Sequence, residues 1–598
     1  MGDDGDWFLE VPGSVEGYDM DSLKVDESYL TVTSEFDTPL YLYAISHDCH
    51  KCPYQQLDST VAVAAENNTL FTISSRYAWD FLISNINTSY IPLIRDDQQP
   101  LNASFQCQLP DVSLGEFGVY DLTVTEDLCQ LDTVSEPVFI YGGLIICLLV
   151  YGVLATGVQV VPVLLRSISN TGLASCCRGV TSESQMDFNL GAPESAATKK
   201  AVGKQRIKSL DTFRGLSIAL MILVNYNAGN YWFMGHATWD GLHVADLVFP
   251  WFLWIMGVCI PMGQRSALKR NVPKTKIFLR IFKRSLKLFM LGIVLNSLGG
   301  WITLSEYRVP GVLQRFAVCY LVVATVSLYT PQLQLTESKV TAMLSDVIVL
   351  AYQWLFYLLV VVVHTVLMFS LPVPGCPTGY IGPGGVVLLN DEGEPSPDCI
   401  GGATGYVDRW ILGVEHIYQN PTAKQTYSSG PFDPEGVLGS MLSVFQVFLG
   451  LVAGTVLQHH SSDNERLLRW LGWGVLCGVL GAILCFAGVD GAPIPVNKNL
   501  WSLSYVLVTS CFAFLLLALF YLLIDKLHLW SGSPLYQAGM NSILLYVGHN
   551  VTYNLFPWHY VIGAMRTHAA ILGECLWGTT LWIITGLYLH HRGKFYTI

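Results

Sequence analysis

Charge is scarce in this chain. Only 13 % of its 598 residues are Asp, Glu, Lys or Arg, against about 25 % in an ordinary soluble domain. So few ionic groups cannot coat the roughly four globules, at ~150 residues each, that the length would otherwise allow. With 52 % of the residues hydrophobic, the composition fits a polytopic membrane protein and excludes a single-pass receptor. Positive charge is the scarcer sign. A net charge of −13 speaks against a nucleic-acid binder, which needs Lys and Arg against phosphates. Fifteen cysteines are too dilute in so long a chain for a disulfide-scaffold protein. HExxH, GxSxG and protein-kinase signatures are missing, and no internal repeat is evident. The glycine-rich stretch 375–385 matches neither the P-loop nor the dinucleotide fingerprint. It therefore reads as tight turns rather than a phosphate cradle. Residues 1–6, Met-Gly-Asp-Asp-Gly-Asp, offer neither the basic nor the apolar region of a secretory leader.

What is present divides the chain at about residue 137. Up to there the only basic residues are Lys24, Lys51, Arg76 and Arg95, set among many Asp and Glu. Runs of period two at 29–33, 60–64 and 120–124 predict half-buried strands. Residues 1–137 are thus expected to form a small, acidic, β-rich domain. Its cysteines are an even set, Cys49, Cys52, Cys107 and Cys129, beside glycosylation acceptors at Asn67, Asn87 and Asn102. Cys49-His-Lys-Cys52 is also half of a zinc site, but no second CxxC closes it. Disulfides in an oxidising, non-cytosolic compartment are favoured over zinc. An exported domain without a visible leader leaves two readings: a leader lost from this sequence, or a first span acting as a reverse anchor.

From about Pro137 hydrophobic stretches recur, each near the ~20 residues that cross a bilayer. Eleven are expected, at roughly 138–164, 212–233, 244–263, 279–299, 313–330, 347–372, 437–457, 469–487, 501–524, 540–558 and 572–590. The fourth and tenth carry Arg, Lys, His and Asn and are the weakest. With eleven spans, the basic linker 165–208, the basic loop after the third span and the tail with Arg592 and Lys594 fall on one side, the cytosolic one. The acidic domain and the long segment 373–436, with Cys376 and Cys399 as a candidate disulfide, fall on the other. The Ser/Ala/Lys-rich stretch 181–205 reads as a flexible linker. Residues 209–598 then form a ten-helix core.

Polar groups in or at the mouth of a span are costly, so each needs a reason. The densest cluster runs from Ser209 through Asn225 and His236 to Asp246. Gly229 and Gly241 let the turn between the second and third spans fold back. A neutral His236 can take a proton from an amine, with Asn225 fixing its tautomer or holding a carbonyl oxygen. The plainer alternative is a histidine that caps a loop at the interface. His236-Ala-Thr-Trp-Asp240 also fits HxxxD, a pattern too short and too far from its usual setting to use. Asp211 and Arg214, three apart on one helix face, form a local ion pair or a coenzyme contact. Asp246 needs a partner or a wet cavity. Arg308 and Arg315 flank a turn into the fifth span, either to bind phosphate or carboxylate or to snorkel. His549, next to Asn550 late in the tenth span, is a candidate for the same cavity. No metal site is expected.

These residues carry a resemblance. Ser209-Leu-Asp-Thr-Phe-Arg-Gly, His236-Ala-Thr-Trp, Val244-Ala-Asp-Leu-Val-Phe-Pro-Trp-Phe, Val309-Pro-Gly-Val-Leu-Gln-Arg, Gly375-Cys-Pro-Thr-Gly-Tyr and Ile494-Pro-Val-Asn-Lys-Asn-Leu-Trp-Ser resemble the heparan-α-glucosaminide N-acetyltransferases, lysosomal transmembrane enzymes. The likeness runs from about residue 206 to the C-terminus. It implies acetyl transfer from cytosolic acetyl-CoA to the amine of a terminal α-D-glucosamine of heparan sulfate in the lysosomal lumen. It also implies a histidine at His236 and an asparagine at Asn225 as the catalytic pair, acting through an acetyl-histidine or through direct transfer. A homodimer is implied by the same likeness, whereas the lumenal N-terminal domain and the cytosolic C-terminus are expected from charge, cysteines and glycosylation acceptors. The expectation is a polytopic α-helical membrane protein of about eleven transmembrane helices with a small N-terminal lumenal β-rich domain. Its rivals are a solute transporter and an acyltransferase for another amino sugar.

Overall fold

The computed structural model describes residues 13–36, 38–57, 69–91, 105–125, 129–153, 206–298, 300, 302–333, 344–388, 395–488 and 492–596. The alternating runs at 29–33 and 120–124 fall in strands β3 (Glu27–Ser34) and β10 (Val119–Val124). The run at 60–64 lies outside the described residues, as do Asn67 and Asn102. A four-stranded sheet has the order β11-β10-β3-β6, with β6 at Thr69–Ser74 and β11 at Cys129–Ser135. A five-stranded sheet, β8-β5-β4-β7-β9, is built from β4 (Tyr41–Ser46), β5 (Tyr54–Gln56), β7 (Trp79–Ser84), β8 (Tyr90–Ile91) and β9 (Phe105–Val112). Strands β3 and β10 run parallel; the other pairs are antiparallel. The inward residues of both sheets, among them Leu30, Val32 and Leu122 from one and Leu42, Phe81 and Ile83 from the other, share one core. The period of two is what lets each strand contribute to it. The disulfide Cys107–Cys129 ties β9 to β11, and so one sheet to the other. Cys49–Cys52 and Cys376–Cys399 are also paired, so Cys49 and Cys52 are held as a disulfide rather than in a zinc site. Asn87 is exposed between β7 and β8.

The rest is helical. Helix α1 (Gly142–Val153) falls in a unit of its own. Helices α2 (Lys208–Asn225), α3 (Val244–Lys269), α4 (Lys274–Asn296), α5 (Val312–Tyr329), α6 (Ala351–Ser370), α7 (Gly402–Leu412), α8 (Val437–His459), α9 (Asp463–Leu484), α10 (Leu503–Phe520), α11 (Leu535–Gly539), α12 (Ser542–Val551) and α13 (His568–His591) follow. A helix stands at each of the eleven expected positions. Seven of them, α3, α5, α6, α8, α9, α10 with its π-helical extension to Lys526, and α13, are long and apolar enough to cross a membrane. The protein is thus a multi-pass membrane protein. Helices α2 and α4 carry three and more charges, and α12 is only 10 residues long. At the centre α3 packs on α8, where Gly257, Gly450 and Gly454 let the backbones approach. A Cβ on Gly450 would lie 1.9 Å from the Trp254 carbonyl oxygen, the small-residue contact by which membrane helices associate. Compositionally the chain divides at 137, but in packing the β domain and everything from Lys208 onward form one unit.

Candidate functional site

Helix α2 begins where the carboxylate of Asp525 accepts the Lys208 and Ser209 backbone N–H groups, at 3.2 and 3.1 Å. It ends at Asn225, where the chain turns left-handed through Asn227, Ala228, Gly229 and Asn230 (φ 76, 47, 75 and 61°). Gly229 needs that freedom, and so does Gly241 at φ 126°. Between them the loop carries His236.

The loop is held from two sides. From the β domain, Asp26 accepts Asn230 Nδ2 (2.7 Å), Asp48 accepts Thr238 Oγ1 (2.6 Å), and Tyr77 packs on Trp232. From the segment before α10, the Val496 carbonyl accepts Gly241 N–H (2.8 Å), Asn497 Nδ2 donates to Asp240 (2.9 Å) and Asn499 Nδ2 to the Thr238 carbonyl (3.4 Å). The Cys49–Cys52 hairpin packs into the same apolar cluster as Trp239, Tyr427, Phe432 and Leu500.

So clamped, the loop delivers His236 to Asp246 in the first turn of α3. Nδ1 lies 2.7 Å from Asp246 Oδ1. Facing a carboxylate, Nδ1 carries the proton, which leaves the Nε2 lone pair free. Asp246 is fully buried and pinned by the Ala237 and His243 N–H groups, both at 3.0 Å from Oδ2. Tyr505 donates to its backbone carbonyl at 2.5 Å. The His236 side chain keeps 36 % of its surface accessible. Desolvation of the ring and then the charge of Lys498 hold its pKa below the usual histidine value, against the pull of Asp246. Lys498, itself lowered by burial, lies where its charge acts on Asp246 and Glu435 as well.

Asn225 stays accessible at the end of α2. Its Nδ2 lies 2.8 Å from His549 Nε2. Because His549 Nδ1 faces the Leu545 carbonyl (3.0 Å), Nδ1 carries the proton and Nε2 accepts from Asn225, and from Asn550 at 3.2 Å. The fully buried His549 thereby fixes which way the Asn225 amide is turned and leaves Oδ1 as its free acceptor.

The remaining candidates are distributed. Asp211 and Arg214 pair at 3.0 Å, and Arg214 Nη2 also donates to Cys259 Sγ at 3.2 Å. Arg308 grips Asp433 with two bonds of 2.8 Å and Glu435 with one of 2.6 Å. These carboxylates outweigh the effect of burial and raise its pKa further. Arg315 is buried over the Trp501 ring and donates to the Gly436 carbonyl, while Nε and Nη1 find no partner.

Arg214 also lines a cavity of about 850 Å³ between α2, α3, α4, α5 and α12. Arg280, Lys283, Arg284 and Lys287 line it from one face of α4, and Phe252 and Phe316 line it from α3 and α5. Phe252 is six residues from Asp246 on α3, about 9 Å along the axis. The four cations sit at helical spacing i, i+3, i+4, i+7, a signal readable in the sequence, where they otherwise register only as a blemish on a span. The pairing of Asp246 with His236 and the reach of Asp26 and Asp48 to the loop had no sequence signal, because they join distant positions. Among the described residues no cluster of metal-ligating side chains occurs.

The profile described as "Heparan-alpha-glucosaminide N-acetyltransferase, catalytic" matches residues 206–373. The mouse heparan-alpha-glucosaminide N-acetyltransferase is 34 % identical over 624 aligned positions, covering 99 % of this chain and 92 % of the mouse protein. The human protein of that name is 34 % identical over 610, covering 96 % and 88 %. The chain belongs to the heparan-α-glucosaminide N-acetyltransferase family. The catalytic profile of the family takes in α2, the clamped loop, α3 and α4, and therefore both His236 and the basic face of the cavity.

Proposed function

We propose that the protein is an acyltransferase that moves acetyl from cytosolic acetyl-CoA to the amine of the terminal α-D-glucosamine of heparan sulfate. In this reading it serves heparan sulfate degradation in the lysosome, as a multi-pass protein with a lumenal β domain, a cytosolic C-terminus and a homodimeric assembly. The observation that carries the reading is the Asp246–His236 pair at 2.7 Å, held against the β domain on a bundle whose cavity is lined by four cations of α4. Membership of the family supports the acceptor, a glucosaminide. The basic face of α4 suits the phosphates of a coenzyme, and the apolar side chains of the same cavity suit its acyl-bearing arm.

The chemistry follows from the free Nε2. An ammonium acceptor must lose a proton before it attacks a thioester, and Nε2 takes that proton while Asp246 stabilises the imidazolium. Alternatively Nε2 itself attacks the thioester and expels the coenzyme thiolate, which takes up a proton; the free amine then attacks the acetyl-imidazole, and the released Nε2 accepts the amine's proton. Both routes need the lone pair that Asp246 keeps exposed. Asn225, its amide turned by His549, is assigned the task of holding the acceptor. The low pKa of His236 preserves the free base in mildly acidic surroundings. The test is transfer of labelled acetyl from acetyl-CoA to glucosamine by the protein in liposomes, with His236→Ala alongside. Label on the sugar with the wild type and none with the variant is expected. A fully active variant that folds and binds coenzyme overturns the assignment. Trapping label on His236 without acceptor, or finding ping-pong kinetics, separates the two routes.

A further inference from the structure

The clamped loop is touched by one cation of the β domain. Arg76 stands in the turn between β6 and β7, and its Nη2 lies 3.3 Å from where a Cβ on Gly235 would be, next to His236 in sequence. Its guanidinium carbon is 5.8 Å from the Tyr77 ring, and Tyr77 packs on Trp232 of the same loop. Arg76 Nε is buried without a hydrogen-bond partner, and among the described residues no carboxylate lies within ion-pair distance of the guanidinium. That is unusual in a domain so rich in Asp and Glu and so poor in cations. A half-buried guanidinium that rests on Tyr77 and has no carboxylate partner among the described residues keeps donors available to an anion.

We infer that Arg76 binds an anionic group of the acceptor, a carboxylate or sulfate carried beside the reacting glucosamine, and that the β domain thereby forms half of the acceptor site. The inference rests on the acetyltransferase reading above and deepens it. Arg76 touches the loop one residue before His236, so a sugar whose amine reaches His236 can offer its neighbouring residue to the guanidinium. A uronate there offers a carboxylate, and a sulfated glucosamine offers a sulfate. Either matches the forked donors of arginine. An acidic protein repels a polyanion in general, so an isolated cation at the mouth sets which part of the chain can dock.

The experiment compares acetyl transfer to four acceptors: glucosamine, glucosamine 6-sulfate, a glucosaminyl-uronate disaccharide and its carboxyl-reduced form. Wild type, Arg76→Gln and Arg76→Lys are measured with each. For the anionic ligand, Arg76→Gln should raise KM about ten- to a hundredfold, the worth of a charge-assisted bidentate contact. The variant's KM for plain glucosamine and its kcat should stay within about twofold. Arg76→Lys should keep part of the preference. A penalty seen with the uronate disaccharide and gone after carboxyl reduction identifies the carboxylate; a penalty seen with glucosamine 6-sulfate identifies the sulfate. Equal losses on all four acceptors, or none on any, overturn the inference. If Arg76→Gln does not fold, a wild-type KM indifferent to the acceptor's charge overturns it as well. A wild type that acetylates none of the four instead refutes the underlying reading.

Discussion

At the scale of single residues, the site is an exercise in fixing protons. His236 and His549 each have one ring nitrogen committed to an oxygen, so each has one defined tautomer. His236 points its free nitrogen outward, and His549 spends its own on turning Asn225. The charges around His236 set when it works. Burial and Lys498 oppose protonation of the ring and Asp246 favours it, with the balance below the ordinary value. The acid limb of kcat/KM is therefore expected below pH ~6.5, the unperturbed histidine value. Lys498→Met should shift that limb upward, because a cation beside the ring no longer resists its protonation. A limb that stays in place removes Lys498 from the account. Asp246→Asn should lower kcat by about 10²- to 10⁴-fold, the range of general-base catalysis, with coenzyme binding retained. His236 and Asn225 stand out in the sequence as polar groups beside spans. Asp246 shows there only as a buried carboxylate lacking a partner, since the partner lies across a loop whose path the sequence does not reveal.

At the scale of elements, the charges of α4 have a use. Its basic residues do not interrupt a membrane helix; they line a cavity, with the Arg284 guanidinium carbon 4.6 Å from the Tyr320 ring of α5. Arg280→Gln and Arg284→Gln are each expected to raise KM for acetyl-CoA by about ten- to a hundredfold. With acetyl-pantetheine, which lacks the nucleotide phosphates, KM should hardly change. A matching loss with both donors would place these residues away from the phosphates. Helix positions were legible in the sequence because each apolar run is long. The ends were less so: α2 stops at Asn225 because four successive left-handed residues follow it, and α12 runs for a single short stretch. Composition averages over such turns.

At the scale of the whole molecule, buried acids at the β-domain junction and within the helical core favour low pH. Glu116 bears on His568 of α13 at 3.5 Å, and burial pushes its pKa up to about 7. Asp408 accepts the first backbone N–H groups of α8, at 2.7 and 3.3 Å, and is likewise pushed up by burial to about 7. A carboxyl whose folded pKa exceeds its unfolded one contributes stability below the unfolded value near 4, and that contribution is lost as pH rises toward 7. The Tm is thus expected to fall between pH 4.5 and 7.5, and Glu116→Gln with Asp408→Asn should flatten the fall. A wild-type Tm that rises over that range would contradict the buried-acid account. A β-rich front and a helical rear were plain from periodicity. Their union was not, because it depends on Asp26, Asp48, Tyr77 and Glu116 finding partners more than a hundred residues away.

That union has a further consequence. The β domain reaches His236 through space, by Asp26, Asp48 and Tyr77, and not through the peptide that joins it to α2. Continuity of the polypeptide and integrity of the catalyst are therefore separate properties. One gene product divided into two chains between the β domain and α2 would still be one enzyme, whereas an unbroken chain with an unfolded β domain would not.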